Sequence, residues 1–457
     1  MQILSLASAQ FHCFMKKIKL FLLFFTLVKS AGISFGQEIN TARLDAFFDK
    51  LSANNQAMGS FMLSKNGKIL YQRSIGYSNI SPAGKIEATG ATMYRIGSIS
   101  KVFTATMIFQ LIEEKKLSLE TRLVKYFPAV ANSGKISIAQ MLSHTAGIGD
   151  YVGENQVWIT EPHTRKEILD KIYKEPSAFE PGAKQQYSNS TYLLLSYIIE
   201  QITGKPYVSV VKTRIFDPAG MKQSLAGRPN GSEKLEARSY RLPATQEIKD
   251  IYFPNVMGVG DLLMTPKDMT IFMEALNWGK LLSQKSFNQM KTFAPGNGFG
   301  MGLMLDGFAG KTAIAHTGGT YGTGSILTRF DDDGLILALS INGQKYPIGN
   351  IKVAILNICL NRPYELPSFK EVIIAKEDLD AHAGAYSSNQ LPLKISVRRK
   401  EGHLFAQATG QSEFPLDAVS ANEFRFDQAA IVMEFDRSKK EMTLKQGGKT
   451  YLFSKDN

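Results

Sequence analysis

The sequence predicts an α/β fold: an antiparallel sheet flanked by helices, with a helical region inserted into it, followed by a small all-β barrel. Three observations carry this. Strand-like runs stand at both ends of residues 37–362, in "SFMLSKNGKILYQRSIGYSN" and again over 299–342, while the stretch between them is mostly helical in pattern. A segment with two prolines and little periodicity, "NRPYELPSFKEVIIAK", then interrupts the chain. Beyond it, short alternating segments recur at regular spacing, which is the pattern of a small barrel or sandwich.

In order, residues 1–36 read as a secretory leader. Lys16, Lys17 and Lys19 precede an apolar run from Leu20 to Val28, and the small residues Ser34 and Gly36 suit a cut near Gln37. Met15 fits the start of such a leader better than Met1 does. The chain is therefore expected to be exported, to the periplasm or outside the cell. It would touch a membrane only through an uncleaved leader, because the apolar run is short for a span. Residues 37–362 form the first folded unit. It opens with an amphipathic helix over 38–57 and a hairpin turning at Asn66-Gly67. A densely apolar helix over 98–116 follows, starting at Ser98. Helical segments such as "STYLLLSYIIEQITG" and "TPKDMTIFMEAL" then lead to the strands of 299–342 and a last helix near 348–360. Residues 363–376 are a linker. Residues 377–457 are the barrel, with turns at Glu401-Gly402 and Gly447-Gly448.

Composition narrows the function classes. The chain has 457 residues, of which 44% are hydrophobic and 21% charged, as expected for a core-forming protein. The net charge of +12 is scattered rather than gathered into a stripe, so no nucleic-acid partner is expected. Once the leader is removed Cys359 is the one cysteine left, so no intrachain disulfide can form. It lies in the apolar "IKVAILNICLN" and reads as a buried, inert thiol. None of the 6 histidines has metal-ligand spacing, so no metal or other cofactor is expected.

Three short motifs carry chemistry, and each has a decoy. Ser98-Ile-Ser-Lys101 places a hydroxyl and an amine one turn apart on one helix face. The serine stands at the positive end of the helix, and a lysine beside so apolar a helix loses its charge readily. A neutral amine next to a hydroxyl is a general base beside a nucleophile. Ser209-Val-Val-Lys212 matches the same pattern but falls inside a helix. Tyr187-Ser188-Asn189 precedes a helix and pairs a proton carrier with an amide; Tyr77-Ser78-Asn79 repeats it in the early hairpin. His316-Thr317-Gly318-Gly319 follows a strand pattern, with glycines that admit a ligand close to the backbone; His144-Thr145-Ala146-Gly147 is its counterpart in a loop.

In this order and with these flanks the three motifs resemble the serine β-lactamase and penicillin-binding-protein superfamily, closest to its class C-like branch. "MYRIGSISK", "QMLSHTAGI", "FEPGAKQQYSNSTY", "IFDPAGM" and "GDLLMTPKDMTIFMEAL" add to the likeness, which covers roughly residues 40–360. The tail is similar to the lipocalin-like β domain fused behind such hydrolases. The resemblance implies a β-lactamase/transpeptidase-like fold and an acyl-enzyme on Ser98. Lys101 and Tyr187 would share the proton work, and the backbone N–H groups of Ser98 and Gly319 would form the oxyanion hole. Asn189 would orient Lys101 and the substrate, with His316, Thr317 and Gly318 also on the substrate. His316 stands where class C β-lactamases carry lysine, which turns the expectation from efficient β-lactam hydrolysis toward peptidase or esterase activity. The expected substrate is a small molecule or peptide, cell-wall derived in one reading: a D-amino-acid peptide, a small ester or a β-lactam. The alternative is a catalytically silent protein of the same fold that binds peptidoglycan or peptides.

Overall fold

The computed structural model describes residues 39–152, 158–228, 234–242, 245–294, 298–369, 372, 374–391, 393–400, 402–409, 413–426, 431–446 and 449–456. The expected leader, Glu401 of one expected turn and the expected Gly447-Gly448 turn lie outside the described residues. Helix α1 (Thr41–Ala53) buries Leu44, Phe47, Phe48 and Leu51, one face at helical spacing. It is shorter at both ends than the 38–57 of the pattern. The Asn40 side chain accepts from the Arg43 N–H at its start, and Asn55 just beyond its end takes φ +50°. Strands β1 (Ala57–Lys65) and β2 (Lys68–Ile75) form the expected hairpin. Asn66 and Gly67 both have positive φ, +49° and +78°, as a two-residue turn matched to strand twist requires.

Helix α2 (Ser100–Glu113) differs from the helix expected over 98–116. Ser98 lies in a 3-10 turn, Gly97–Ile99, ahead of it, because Gly97 takes φ +54° to bring the turn against the end of a strand described below. The far end stops at Glu113, since Lys115 adopts φ +58°. The inserted region carries α3 (Asn189–Thr203), closed by Gly204 at φ +66°, and α4 (Pro266–Asn277), whose Thr265 accepts from the Asp268 N–H. The chain then returns through β3 (Met304–Phe308), β4 (Lys311–Gly319), β5 (Gly324–Phe330) and β6 (Leu335–Gln344) and ends this part with α5 (Ile348–Cys359).

The main sheet runs β3-β4-β5-β6-β1-β2 with antiparallel neighbours, so the two ends of the segment meet at its centre. A short strand, Tyr240–Arg241, departs from the antiparallel expectation by pairing in parallel with β6 at Gly343 and Gln344. The period of two along β1 and β6 sorts their residues between two cores. Phe61, Leu63, Leu337 and Leu339 pack with α1 and α5. Met62, Ile336 and Ala338 face the inserted helices, with Phe272 and Met273 of α4. This double burial explains why these two strands read as nearly continuous apolar runs.

Helix α6 (Lys376–His382) leads into eight strands, β7 (Gly384–Ser387), β8 (Lys394–Lys400), β9 (His403–Ala408), β10 (Phe414–Ala418), β11 (Glu423–Phe426), β12 (Ile431–Asp436), β13 (Glu441–Gln446) and β14 (Lys449–Lys455). They close into a barrel in chain order, with Tyr386 of β7 opposite Lys455 of β14. Strands β7 and β10 were not legible in the sequence: one is four residues long and the other carries Pro415. Leu404, Ala406, Phe424, Met433, Phe435, Met442 and Phe453 are among the side chains that form the barrel's buried core.

The double burial of β1 generates a stability prediction. Phe61 is 1% exposed and its ring centroid lies 4.3 Å from that of Phe48. Phe61→Ala is expected to cost about 3–5 kcal/mol in a denaturant melt, against less than about 0.5 kcal/mol for the exposed Ile86→Ala. Equal losses would contradict the placement of Phe61 in the core.

Candidate active site

The nucleophile turn is built by close backbone packing. A Cβ at Gly97 would stand 2.6 Å from the Gly319 nitrogen, and a Cβ at Gly318 would stand 1.8 Å from the Ile96 oxygen and 2.9 Å from the Ser98 nitrogen. Only glycines let the end of β4 press on the Ile96–Ser98 turn, which sets the backbone of Gly318-Gly319 beside that of Ser98. β4 is not at the edge of the sheet, because β3 lies outside it. Pairing with β3 stops at Ala315, however, so residues 316–319 are open on that side.

One turn into the helix, Lys101 is 0% exposed. Its Nζ lies 2.9 Å from Ser98 Oγ and 3.0 Å from the Val259 carbonyl oxygen, and 4.9 Å from the centre of the Tyr187 ring. Burial lowers its pKa from 10.5 to about 7, against an opposing pull from the Asp150 charge. At neutral pH a large share of the lysine is therefore the free amine. The Tyr187 hydroxyl donates to Ser98 Oγ at 2.7 Å. Burial pushes that phenol well above its usual range, so Tyr187 rests protonated. Ser98 itself is partly exposed, which leaves its oxygen open to a substrate.

The Val259 carbonyl is held by a turn built on Asp261, a role that no sequence pattern assigns. Asp261 accepts from the N–H groups of Gly258 (2.7 Å) and Gly227 (2.9 Å), and Thr104 of α2 donates to the Gly258 carbonyl at 2.6 Å. Asp261 is fully buried, and burial raises its carboxyl from 3.8 to about 6.

The other predicted residues assemble around this centre. Asn189 heads α3, and both its backbone N–H (3.2 Å) and its Nδ2 (2.9 Å) donate to Asp150 Oδ2. Lys101 bonds to Ser98 and Val259 instead, so the expected orienting contact from Asn189 to Lys101 is not made in this state. His316 is 2% exposed, with Nδ1 2.6 Å from the Thr317 oxygen. Burial first, and then the Lys101 charge, lower its pKa to about 4, so the ring is neutral at pH 7. Thr317 is exposed, and Gly318 and Gly319 lie against the Ser98 turn.

The decoys separate cleanly, with one exception. Ser209 sits in the helix Tyr207–Val211, and Lys212 pairs with Asp217 at the surface. Tyr77-Ser78-Asn79 lies on the strand Tyr77–Ser81, where Asn79 Oδ1 accepts from the Tyr240 hydroxyl at 3.4 Å. His144 is the exception. Its ring packs on that of Tyr187 at 4.5 Å between centroids, and its Nδ1 accepts from the Ser188 N–H at 3.3 Å. Its φ of +58° marks a backbone held for a purpose. A cavity of about 440 Å³ walled by Arg95, Glu236, Asp250 and Phe253 lies off this centre, and neither Ser98, Lys101 nor Tyr187 lines it.

Comparison with known proteins fits this geometry. Residues 44–353 match the profile of the β-lactamase family. The penicillin-binding protein PbpX of Bacillus subtilis (strain 168) is 32% identical over 251 residues, 54% of this chain and 62% of that protein, so the match spans less than two thirds of the relative's length. A teichoic acid D-alanine hydrolase of Staphylococcus aureus (strain MRSA252) is 27% identical over 69% of this chain and 78% of its own. Among solved structures, the D-amino acid amidase of Ochrobactrum anthropi SV3 complexed with L-phenylalanine amide superposes with a TM-score of 0.62 at 27% identity, covering 70% of this chain and 98% of that one.

A pH profile tests the geometry. The rate at which a fluorophosphonate labels Ser98 is expected to rise with pH through a midpoint near 7, as Lys101 gives up its proton, and to vanish in Lys101→Met. Gly318→Ala, whose Cβ would clash with the Ile96 oxygen and push the Gly319 N–H away from the Ser98 turn, is expected to lower that rate by about 10²–10³, the usual effect of losing one oxyanion donor. A profile flat from pH 5 to 9 would contradict the role given to Lys101.

Proposed function

Because this chain belongs to the β-lactamase family, we propose that it works outside the cytoplasm, transferring the acyl group of a D-aminoacyl amide or ester to Ser98 and then to water. That it is a serine hydrolase of amide or ester bonds follows from the family and from relatives that are themselves hydrolases. The single observation that carries the chemistry at Ser98 is the convergence of a buried amine (2.9 Å) and a protonated phenol (2.7 Å) on one partly exposed hydroxyl.

The steps follow from the protonation states. Neutral Lys101 takes the Ser98 proton as Oγ bonds to the substrate carbonyl carbon, and the carbonyl electrons move to oxygen. The N–H groups of Ser98 and Gly319 receive that oxyanion. As the tetrahedral centre collapses, Tyr187 gives its proton to the departing oxygen or nitrogen and regains one from the Lys101 ammonium, which becomes neutral again. For deacylation the same pair takes a proton from water while its oxygen attacks the ester, and Ser98 Oγ leaves with a proton restored. Tyr187 is thus a relay that rests protonated, and Lys101 is the base.

The substrate class rests on His316. A neutral imidazole offers no fixed positive charge to a substrate carboxylate, which favours aminoacyl amides and esters over carboxylate-bearing β-lactams and peptides. The S. aureus hydrolase acts, by its name, on teichoic acid D-alanine, and the O. anthropi enzyme on D-amino acid amides, which supports the same class. A cell-wall substrate and export fit the leader pattern of residues 1–36.

A panel of D-aminoacyl amides, D-alanyl esters, short-chain esters and nitrocefin, with Ser98→Ala as control, tests the reading. Turnover of D-aminoacyl substrates at least about tenfold faster than nitrocefin, lost in Ser98→Ala, is the expected result. Tight substrate binding with no turnover and no labelling of Ser98 would favour a silent binding protein.

A further inference from the structure

The segment His144–Tyr151 takes no part in the steps above, yet it runs alongside residues 186–190, which carry Tyr187 and Asn189. The Gln186 N–H donates to the His144 carbonyl (2.9 Å), the Ser188 N–H to His144 Nδ1 (3.3 Å), and the Tyr151 N–H to Ser190 Oγ (2.8 Å). Between them Asp150 Oδ2 accepts both donors of Asn189, at 3.2 and 2.9 Å, and its Oδ1 accepts from the Val152 N–H at 3.1 Å. An ionised carboxylate can only accept, so this contact fixes the Asn189 amide with Nδ2 toward Asp150 and Oδ1 turned away.

We propose that Asp150 is a positioning residue: it clamps Asn189 at the head of α3, two residues from the Tyr187 ring that faces the Lys101 amine, and so sets a carboxylate beside the centre. Among the described residues, the groups in contact with that amine are uncharged, and the buried acid behind the Val259 carbonyl, Asp261, is bonded to the Gly258 and Gly227 N–H groups. Ser98, Tyr187 and Tyr192 present hydroxyls or ring faces, and Val259 presents a carbonyl. His144 and His316 are both held neutral by burial, with the Lys101 charge acting the same way. Burial drives Lys101 toward the free amine, and Asp150 is the group whose charge opposes it. A base too weak captures a proton poorly, and one too strong stays protonated, so the opposed effects set a working strength near neutral pH. The sequence offers a trace of this residue in "SHTAGIGDY", where an acid follows two glycines at the end of a loop.

This inference rests on the serine-hydrolase reading, and the test separates the two. Protein carrying [¹³Cε]lysine is titrated by NMR, with the Lys101 resonance assigned by its loss in Lys101→Met. In Asp150→Asn the Lys101 midpoint is expected to fall by about half a unit or more, and the acid limb of fluorophosphonate labelling moves down in pH with it. Labelling at pH 6, relative to the variant's own plateau, therefore rises. A clamp that is only structural would lower the plateau and leave the midpoint in place, and that result overturns the proposal. Asp150→Ser, whose hydroxyl still accepts from the head of α3, serves as a second neutral variant. If neither variant folds, Asp150 belongs to the fold alone and the proposal fails. A wild-type protein that shows the shifted titration but no Ser98-dependent labelling would instead overturn the hydrolase reading and leave the role of Asp150 standing.

Discussion

The centre depends on keeping one amine out of water. Lys101 is the one basic side chain of a densely apolar helix, and its Nζ is satisfied by one hydroxyl and one carbonyl. An isolated ammonium in such a place is costly, and the amine responds by giving up its proton near neutrality. The rest of the architecture can be read as what holds that condition in place. The inserted helices cover α2 with apolar side chains. The Gly258–Asp261 turn supplies the Val259 carbonyl. The end of β4 closes over the Ser98 turn without a side chain in the way.

Most of this was legible in the sequence because local pattern and chemistry agreed. The Asn66-Gly67 turn, the amphipathic α1 and the densely apolar α2 follow from rules that act over a few residues. The order of Ser98-x-x-Lys101, Tyr187-x-Asn189 and His316-x-Gly318 made a weak set of tripeptides specific. What was not legible depends on contacts between distant segments. Ser98 sits in a 3-10 turn rather than at the cap of α2 because Gly318, more than two hundred residues away, requires Gly97 to be left-handed. Asp261 falls within "GDLLMTPKDMTIFMEAL", but nothing in that phrase shows that its carboxylate holds the turn of Val259, and Asp150 and His144 act through neighbours that pattern alone could not assign. Local rules fail where a site is assembled, which is where a fold departs from its own propensities.

The barrel of residues 384–455 answers to different constraints. Its strands are short and polar outward, and its closure removes the exposed edges such strands would otherwise present. Its buried core is apolar, with Leu404, Phe424, Met433 and Phe453 at its centre. Chemistry in this chain is therefore argued from Ser98 and its surroundings, and the barrel contributes no side chain to that constellation.

The most direct measurement replaces the amine with a cation of similar reach. Acylation of Ser98 by an activated ester is followed by rapid-quench mass spectrometry in the wild type and in Lys101→Arg, whose guanidinium stays charged throughout the working pH range. An account in which a neutral amine removes the Ser98 proton predicts that the covalent adduct forms in the wild type and is lost in the arginine variant at every pH from 6 to 9. An adduct forming at a comparable rate in Lys101→Arg, in a variant whose fold is intact, would mean that positive charge rather than basicity serves the nucleophile, and would contradict the account.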